Sequence, residues 1–510
     1  MRHRISWLTP LAIVTTLLVA APVIFLVVEL AAADRDNIVR AFTRPATITQ
    51  VTNTLLLVVS VTVCATIVGV LSAFALARLD LPGKRLWWVL SVLPLAVPSY
   101  VAGLAWFDFT SLRGFFGSWF ILVLATAPYV TLPTAAAFRR ADRSVEDVAR
   151  TLGAGPIRSF TSMTLPQVAP AAAAGALLIA LYTVAEYGVV AIMRFPTMTT
   201  AVQSAFGGSF NRQLAIVLSV MLAAMALVVV VGERLLRRPV LVTRVGSDTN
   251  ALRRPSRPVQ ILVCGGLFLV FTLAVLLPVS ALLVRLSRSI ADNSVEWERL
   301  LQAALVTTGL GVAGAVVATL AALPVGILAA RRPGRVSSAL ETITYLGHGL
   351  PGIVIGLAMV YMSLQFVPGI YQTLALLVIA YGIMFVPKAM GSVRSAVGQV
   401  PESLEDAARS LGRKPIQVWW EVTSRIAWPG IAAGALLVAV TVMKELPATL
   451  MMRPIGTDTL ATRLWQLTDI HAYGSAASYA IALILVASIP AIGLAAGGAG
   501  VASNTAGAER

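Results

Sequence analysis

Two glutamates occupy equivalent positions in apolar stretches that are long enough to cross a membrane. They are Glu186 and Glu445, which lie 259 positions apart in a sequence that repeats itself at that interval. An ionisable group at such a depth costs roughly 2.5–3.5 kcal/mol on insertion scales, so it must face protein or water. The pair could line a path for a cation, or each carboxylate could be an ion-pair partner or a helix cap. Lys444, Arg194 and Arg453 lie nearby and keep the second interpretation open.

Helix-breaking residues also recur at matching positions. Pro98 and Pro351 correspond at an interval of 253, with Pro94 and Gly352 beside them. Irregular backbone inside a membrane is tolerated only against protein or a water-filled cavity. Broken helices at equivalent places in two halves therefore indicate a transport path. We group Pro98 and Pro351 with the two glutamates as candidate pathway residues.

A short charged pattern occurs twice, at Ser144–Gly153 and at Ser403–Gly412. Each copy predicts a short helix that ends at its glycine, within a segment too long to be a simple turn. Such a helix could dock into a groove of another protein and carry motion into the membrane helices. A loop with only a structural purpose is the alternative, which recurrence in both halves disfavours. The defining residues are Glu146, Ala149 and Gly153 in the first copy and Glu405, Ala408 and Gly412 in the second.

The elements that position these residues must be membrane helices. The chain has 510 residues, of which 58% are hydrophobic and 12% charged, against about 25% charged in a soluble domain. There are too few polar residues to cover a large water-soluble core, so the fold class is an all-α polytopic membrane protein. Twelve spans are predicted, near 8–31, 51–77, 86–107, 118–138, 168–190, 213–232, 259–285, 304–330, 340–363, 371–393, 429–451 and 477–496.

The distribution of positive charge sets the orientation. The net charge is +16, and most of the 39 lysines and arginines fall in segments that share one side when the N-terminus is inside. This bias is the positive-inside pattern of a multi-pass protein of the cell (inner) membrane with a cytoplasmic N-terminus. The positive-inside pattern explains the net positive charge better than nucleic-acid binding does.

The repeat divides the chain into two parallel six-helix halves, as expected around an axis along the membrane normal. The predicted organisation is a first half over residues 1–232, a basic cytoplasmic linker over 233–258, a second half over 259–496 and a disordered Gly/Ala-rich tail over 497–510. The repeated loops lie near 139–167 and near 394–428.

The two motif copies resemble the coupling loop in permeases of binding-protein-dependent ABC importers, of type I architecture. The first copy is followed by Leu165-Pro166, as in that family, whereas the second has Ser424-Arg425 there. The resemblance covers nearly the whole chain. It implies a permease with two fused halves whose loops contact two copies of an ATP-binding subunit, and which works with an extracytoplasmic substrate-binding protein.

A narrower resemblance concerns the substrate. The segments Lys444–Leu450, Met452–Pro454, Asp458–Trp465 and Leu93–Tyr100 are similar to ferric-iron permeases of this family. The resemblance implies ferric iron as cargo. Permeases for thiamine, polyamine or phosphonate have related architecture and remain alternatives.

The sequence predicts no catalytic residues, cofactor or metal centre. It contains no GxxxxGK[ST] phosphate loop, so ATP hydrolysis is expected from a partner. Cys64 and Cys264 show no metal-ligand spacing. A twelve-helix secondary transporter is the alternative class, which the repeated loops argue against, and a membrane enzyme or scaffold is another.

Overall fold

A computed structural model of the chain describes residues 8–141, 144–208, 211–236 and 255–507. All regular elements in these ranges are helical. In the first half of the sequence the α-helices are α1 Leu8–Ala32, α2 Arg35–Thr43, α3 Pro45–Arg78, α4 Lys84–Val92, α5 Ser99–Phe109, α6 Gly114–Thr126, α7 Pro128–Arg140, α8 Ser144–Thr151, α9 Pro156–Ser159, α10 Leu165–Ala185, α11 Gly188–Ile192, α12 Met198–Gln203 and α13 Arg212–Leu236.

The second half repeats this order. Its α-helices are α14 Arg257–Phe271, α15 Leu277–Ala291, α16 Trp297–Arg331, α17 Arg335–Leu346, α18 Gly352–Phe366, α19 Leu374–Gly398, α20 Glu402–Ser410, α21 Pro415–Val418, α22 Ser424–Met443, α23 Pro447–Met452, α24 Leu460–Asp469 and α25 Tyr473–Gly507. Turns of π-helix occur at Phe160–Thr164, Ser204–Gly208, Thr272–Leu276 and Trp419–Thr423, and turns of 3-10 helix at Leu93–Ala96, Gly347–Gly349 and Pro368–Ile370.

By length and composition, ten helices of the described ranges could cross a membrane, or eleven if one bent pair counts as a span. The bent pair is Lys84–Ala96 with Ser99–Phe107, at an angle of 86°. The remaining predicted span, near 340–363, consists of α17 and the shorter apolar helix α18, separated at Pro351. The twelve predicted spans are therefore ten unbroken helices and two interrupted ones, with the interruptions at Pro98 and Pro351 as the sequence predicts.

The chain forms two compact units. One comprises Met1–Ile38, Ala205–Ala223 and Leu286–Arg510, and the other Val39–Ser204 and Ala224–Arg285. Each unit thus includes the first helix of the other half of the sequence, α1 in one and α14 in the other. Most of the linker predicted over 233–258 lies outside the described residues, and α25 continues through most of the tail predicted over 497–510.

Each unit is built on three equivalent packed helices. They are α3, α7 and α10 in one unit and α16, α19 and α22 in the other. Matching glycines allow the close approach of these helices. A Cβ at Gly175 would lie 2.6 Å from the Tyr129 carbonyl oxygen, and one at Gly434 would lie 2.3 Å from the Ser392 Cβ. Neither position has room for a side chain, which explains why the glycine recurs.

Candidate functional site

We call the repeated segments near 139–167 and 394–428 the first and second coupling segments, after the loop that they resemble. The second is built around the buried carboxylate of Glu405, which is 5% exposed. Arg331, at the end of α16, places a guanidinium nitrogen 2.6 Å from Glu405 Oε1, and Arg409 places one 2.9 Å from Oε2. The Thr423 hydroxyl donates to Oε1 at 2.8 Å. Glu405 thus joins α20 to the end of one long helix and to the π-turn that precedes another.

The first coupling segment repeats part of this arrangement. The Thr164 hydroxyl donates to Glu146 Oε2 at 3.0 Å, and the Ser159 hydroxyl donates to the Glu146 backbone carbonyl at 3.0 Å. Thr164 and Thr423 are the last residues of equivalent π-turns. Arg78, buried at the end of α3, is the repeat counterpart of Arg331. In both halves a threonine of the π-turn therefore donates to the glutamate of the short helix.

The repeated alanines and glycines form the ends of the short helices. Gly153 has φ of +87° and Gly412 of +82°, in the left-handed region that favours glycine. The backbone N–H after each glycine donates to the alanine carbonyl five residues earlier, at 3.0 Å for Ala149 and 3.2 Å for Ala408. This is the Schellman bond that ends a helix. The turn fixes the direction in which the chain leaves the short helix.

The turn also presents a leucine in each half, which sequence reasoning missed. Leu152 is 82% exposed and Leu411 is 84% exposed, each directly before its glycine. The sequence contains a signal for them, since Leu152 and Leu411 match at the repeat interval of 259. The carboxylates of Glu146 and Glu405 contact the chain's own residues, whereas these leucines are the solvent-facing apolar groups of the turns.

The sequence predicts that Glu186 lies within the span near 168–190, but the structure places it in the break after α10, where the helix-cap interpretation applies. The long helix α10 ends at Ala185, and Glu186 Oε1 accepts from the Val189 backbone N–H at 2.9 Å, at the start of α11. Oε2 accepts from the Ser99 hydroxyl at 3.0 Å, and the Tyr182 hydroxyl donates to Ser99 Oγ at 2.8 Å. The carboxylate caps the next helix, so the span is shorter than its apolar stretch.

Glu445 occupies the equivalent break after α22, so the same correction applies to it. Its Oε1 accepts from the Ala448 backbone N–H at 3.1 Å, and the Thr449 hydroxyl donates to its backbone carbonyl at 2.8 Å. A Cβ added at Gly352 would lie 2.7 Å from Oε1. Gly352 follows Pro351, as Ser99 follows Pro98.

The structure therefore brings the candidate pathway residues together in two pairs. In each unit the break of the interrupted span lies beside the glutamate that follows a long helix, with Pro98 near Glu186 and Pro351 near Glu445. Both prolines directly precede the helix that resumes after the break, with φ of −59°. Among the described residues no group of three or more His, Cys, Asp or Glu could hold a metal ion.

Paired six-helix repeats with broken spans and matched loop helices define an importer permease, and the family comparison agrees. The family of binding-protein-dependent transport system inner membrane components matches residues 65–242 and 322–496. The chain belongs to this family, and its sequence contains two copies of the family's domain.

Three individual permeases of known transport systems are similar to this chain. The chain is 32% identical over 492 residues to the Fe(3+)-transport system permease protein FbpB 2 of Haemophilus influenzae, a match that covers 95% of this chain and 97% of that protein. It is 30% identical over 174 residues to the molybdate/tungstate transport system permease protein WtpB of Thermococcus kodakarensis, covering 34% of this chain and 70% of that one. The sulfate transport system permease protein CysT of Escherichia coli is 28% identical over 190 residues, covering 34% and 69%.

Proposed function

We propose that this chain is the permease subunit of an ATP-driven importer that moves ferric iron across the inner membrane. The supporting observation is the similarity to an Fe(3+)-transport permease along 95% of this chain and 97% of that protein. In this proposal a substrate-binding protein delivers the iron from outside. The N-terminus lies in the cytoplasm, as the distribution of positive charge favours.

The energy would come from two copies of an ATP-binding subunit, one at each coupling segment. Leu152 and Leu411 are proposed to bury their side chains in apolar grooves of those subunits. Their exposures of 82% and 84% leave most of each side chain available for a partner. Burying one leucine contributes about 1.5–3 kcal/mol, enough to anchor a short helix in an interface.

Motion at the short helix would reach the membrane spans through the buried carboxylate. Glu405 contacts Arg331 on α16 and Thr423 in the turn before α22. Because these contacts are short and buried, α20 cannot shift without pulling on both long helices. Glu146 and Thr164 are proposed to do the same in the first half.

Uptake by cells that depend on this importer tests the substrate. Cells expressing the chain with its partner subunits should accumulate radiolabelled iron from a ferric-loaded binding protein. Unlabelled thiamine, molybdate or sulfate should not compete. Uptake of one of these compounds without iron would overturn the substrate assignment and leave the permease class unchanged.

A further inference from the structure

The second coupling segment differs from the first where the chain enters the long helix that follows. The first half has Leu165-Pro166 at this point, and the second has Ser424-Arg425. Nearby positions differ in the same direction. The residues Arg413, Lys414, Trp420, Arg425 and Trp428 stand where the first half has Ala154, Gly155, Thr161, Pro166 and Ala169. The second half therefore carries three cations and two indole rings that the repeated fold does not require.

These side chains lie on the surface of the protein. Trp420 and Trp428 are each 65% exposed, and the three cations are exposed as well. Arg413 forms an ion pair with Glu421 at 3.3 Å. The Arg425 guanidinium makes no hydrogen bond or ion pair to any residue that the structure describes. A cation and two rings are thus available to a partner outside the chain.

The two tryptophans and Arg425 share one face of the helical segment. Trp420 lies in the π-turn before α22, and Arg425 and Trp428 follow it five and eight residues later. Five residues make about one turn where backbone bonds run from i to i+5, and three more make most of the next turn. The buried side of the same π-turn holds Thr423, which is 3% exposed.

This face lies where a membrane helix leaves the hydrocarbon. Helical structure continues from Pro415 to Met443, over 29 residues. At 1.5 Å per residue the segment is roughly 40 Å long, whereas the hydrocarbon core is about 30 Å thick. Exposed cations avoid hydrocarbon, so the end with Lys414 and Arg425 is the one that reaches the headgroups. Tryptophan is enriched at that level in membrane proteins.

We propose that Lys414, Arg425, Trp420 and Trp428 form a binding site for an anionic phospholipid, in the leaflet on the side of the coupling segments. The two cations provide charge-assisted donors for the lipid phosphate, and the indole rings pack against the glycerol and the upper acyl chains. In the orientation proposed above this is the cytoplasmic leaflet, whose anionic lipids attract basic segments beside membrane spans. The site itself depends neither on that orientation nor on the transported substrate.

A lipid bound here would stabilise the turn that holds the second short helix. The π-turn contributes Trp420 to the proposed site on its exposed side, and Thr423 donates to Glu405 on its buried side. A ligand that binds only the folded chain raises the free energy of unfolding. The first half lacks this link, because Thr161 and Pro166 offer neither a ring nor a charge.

The binding test titrates the full-length chain in neutral detergent with phosphatidylglycerol and counts bound lipid by native mass spectrometry. Lys414→Gln with Arg425→Gln should weaken the tightest phosphatidylglycerol site by roughly twenty-five-fold, since each basic residue near a membrane surface contributes about a fivefold factor. Arg140→Gln with Arg158→Gln is the matched control, which removes two exposed charges from the first coupling segment. This control should bind phosphatidylglycerol as the wild type does.

Thermal unfolding separates loss of lipid binding from loss of folding. In nanodiscs, an equal mixture of phosphatidylglycerol and phosphatidylcholine should raise the unfolding temperature of the wild type and of Lys414→Arg above that in phosphatidylcholine alone. The mixture should not stabilise Lys414→Gln with Arg425→Gln. In phosphatidylcholine alone all three proteins should unfold at the same temperature, because both substituted side chains are exposed.

A further variant distinguishes a lipid from a protein partner on this face. Trp420→Ala with Trp428→Ala should weaken phosphatidylglycerol binding and leave assembly with the ATP-binding subunit unchanged. Loss of assembly with wild-type lipid binding would mean that the subunit covers these rings, and it would overturn the lipid site. Equal weakening by the glutamine variants of the two halves would show that only total charge matters, and it would overturn the site as well.

Discussion

The guanidinium of Arg331 lies 2.6 Å from the carboxylate of Glu405, and the two side chains are 9% and 7% exposed. The pair joins the last turn of the 35-residue helix α16 to the 9-residue helix α20, in the loop that follows α19. Both residues have counterparts in the first half, Arg78 and Glu146. This buried ion pair ties the short helix α20 directly to the long helix α16.

Removing one partner of this pair should be costly. Glu405→Ala leaves the Arg331 charge buried without its carboxylate, and breaking a buried pair in this way costs about 3–5 kcal/mol. The double variant Arg331→Met with Glu405→Leu should recover much of the stability without recovering stimulation of the ATPase. Thermal unfolding of the purified permease together with ATPase assays of the assembled complex checks both expectations. Equal stability for the single and double variants would contradict the buried-pair account.

The two exposed leucines give a prediction that separates docking from folding. Leu152→Ser with Leu411→Ser should leave the unfolding temperature unchanged, since both side chains face solvent in the permease. Affinity for the ATP-binding subunit, followed by co-purification, should fall by more than tenfold, because each lost apolar anchor removes about 1.5–3 kcal/mol of burial. Ile455→Ser is the matched control, at a residue that is 87% exposed but lies outside the coupling segments. Wild-type assembly of the double variant would show that the leucines do not dock.

The threonines of the π-turns should act through the glutamates they contact. Thr423 is 3% exposed, and its hydroxyl donates to Glu405, so Thr423→Val should destabilise the permease by about 1.5–3 kcal/mol. Thr423→Ser retains the hydroxyl and should restore both stability and transport per ATP hydrolysed. The comparison requires unfolding curves and coupled transport assays on the same preparations. If the valine variant is as stable and as well coupled as the serine variant, the Thr423 hydroxyl contributes to neither stability nor coupling.

Gly352 should tolerate no side chain. A Cβ at this position would lie 2.7 Å from Glu445 Oε1 and 2.9 Å from the Met384 methyl carbon, so Gly352→Ala should reduce transport strongly. Gly369→Ala should be harmless, since no atom lies within 4 Å of a Cβ placed there. Uptake per molecule of permease, with protein abundance measured in parallel, is the readout. Similar uptake by the two variants would mean that the break at Pro351 can shift to make room.

Much of this architecture could be predicted because each half of the sequence repeats the pattern of the other, so that matching positions stand out. The matching intervals identified both coupling segments and both helix breaks, and the structure confirms the breaks at Pro98 and Pro351. The sequence left a helix cap open as one interpretation of Glu186 and Glu445, but it could not decide for it, since apolar runs do not reveal that a carboxylate accepts from the backbone N–H three residues later. The role of Arg331 was equally hidden, because its partner is 74 positions away and basic residues in such loops are ordinary.

We propose that this chain, with an ATP-binding subunit and a substrate-binding protein, moves ferric iron at the expense of ATP. The most direct test is the accumulation of radiolabelled iron in liposomes that contain the complete importer, with the ferric-loaded binding protein on the outside and ATP on the inside. We predict accumulation that requires ATP and the binding protein and that Leu152→Ser with Leu411→Ser abolishes. A fully assembled complex that hydrolyses ATP in response to its binding protein yet moves no iron would contradict the account.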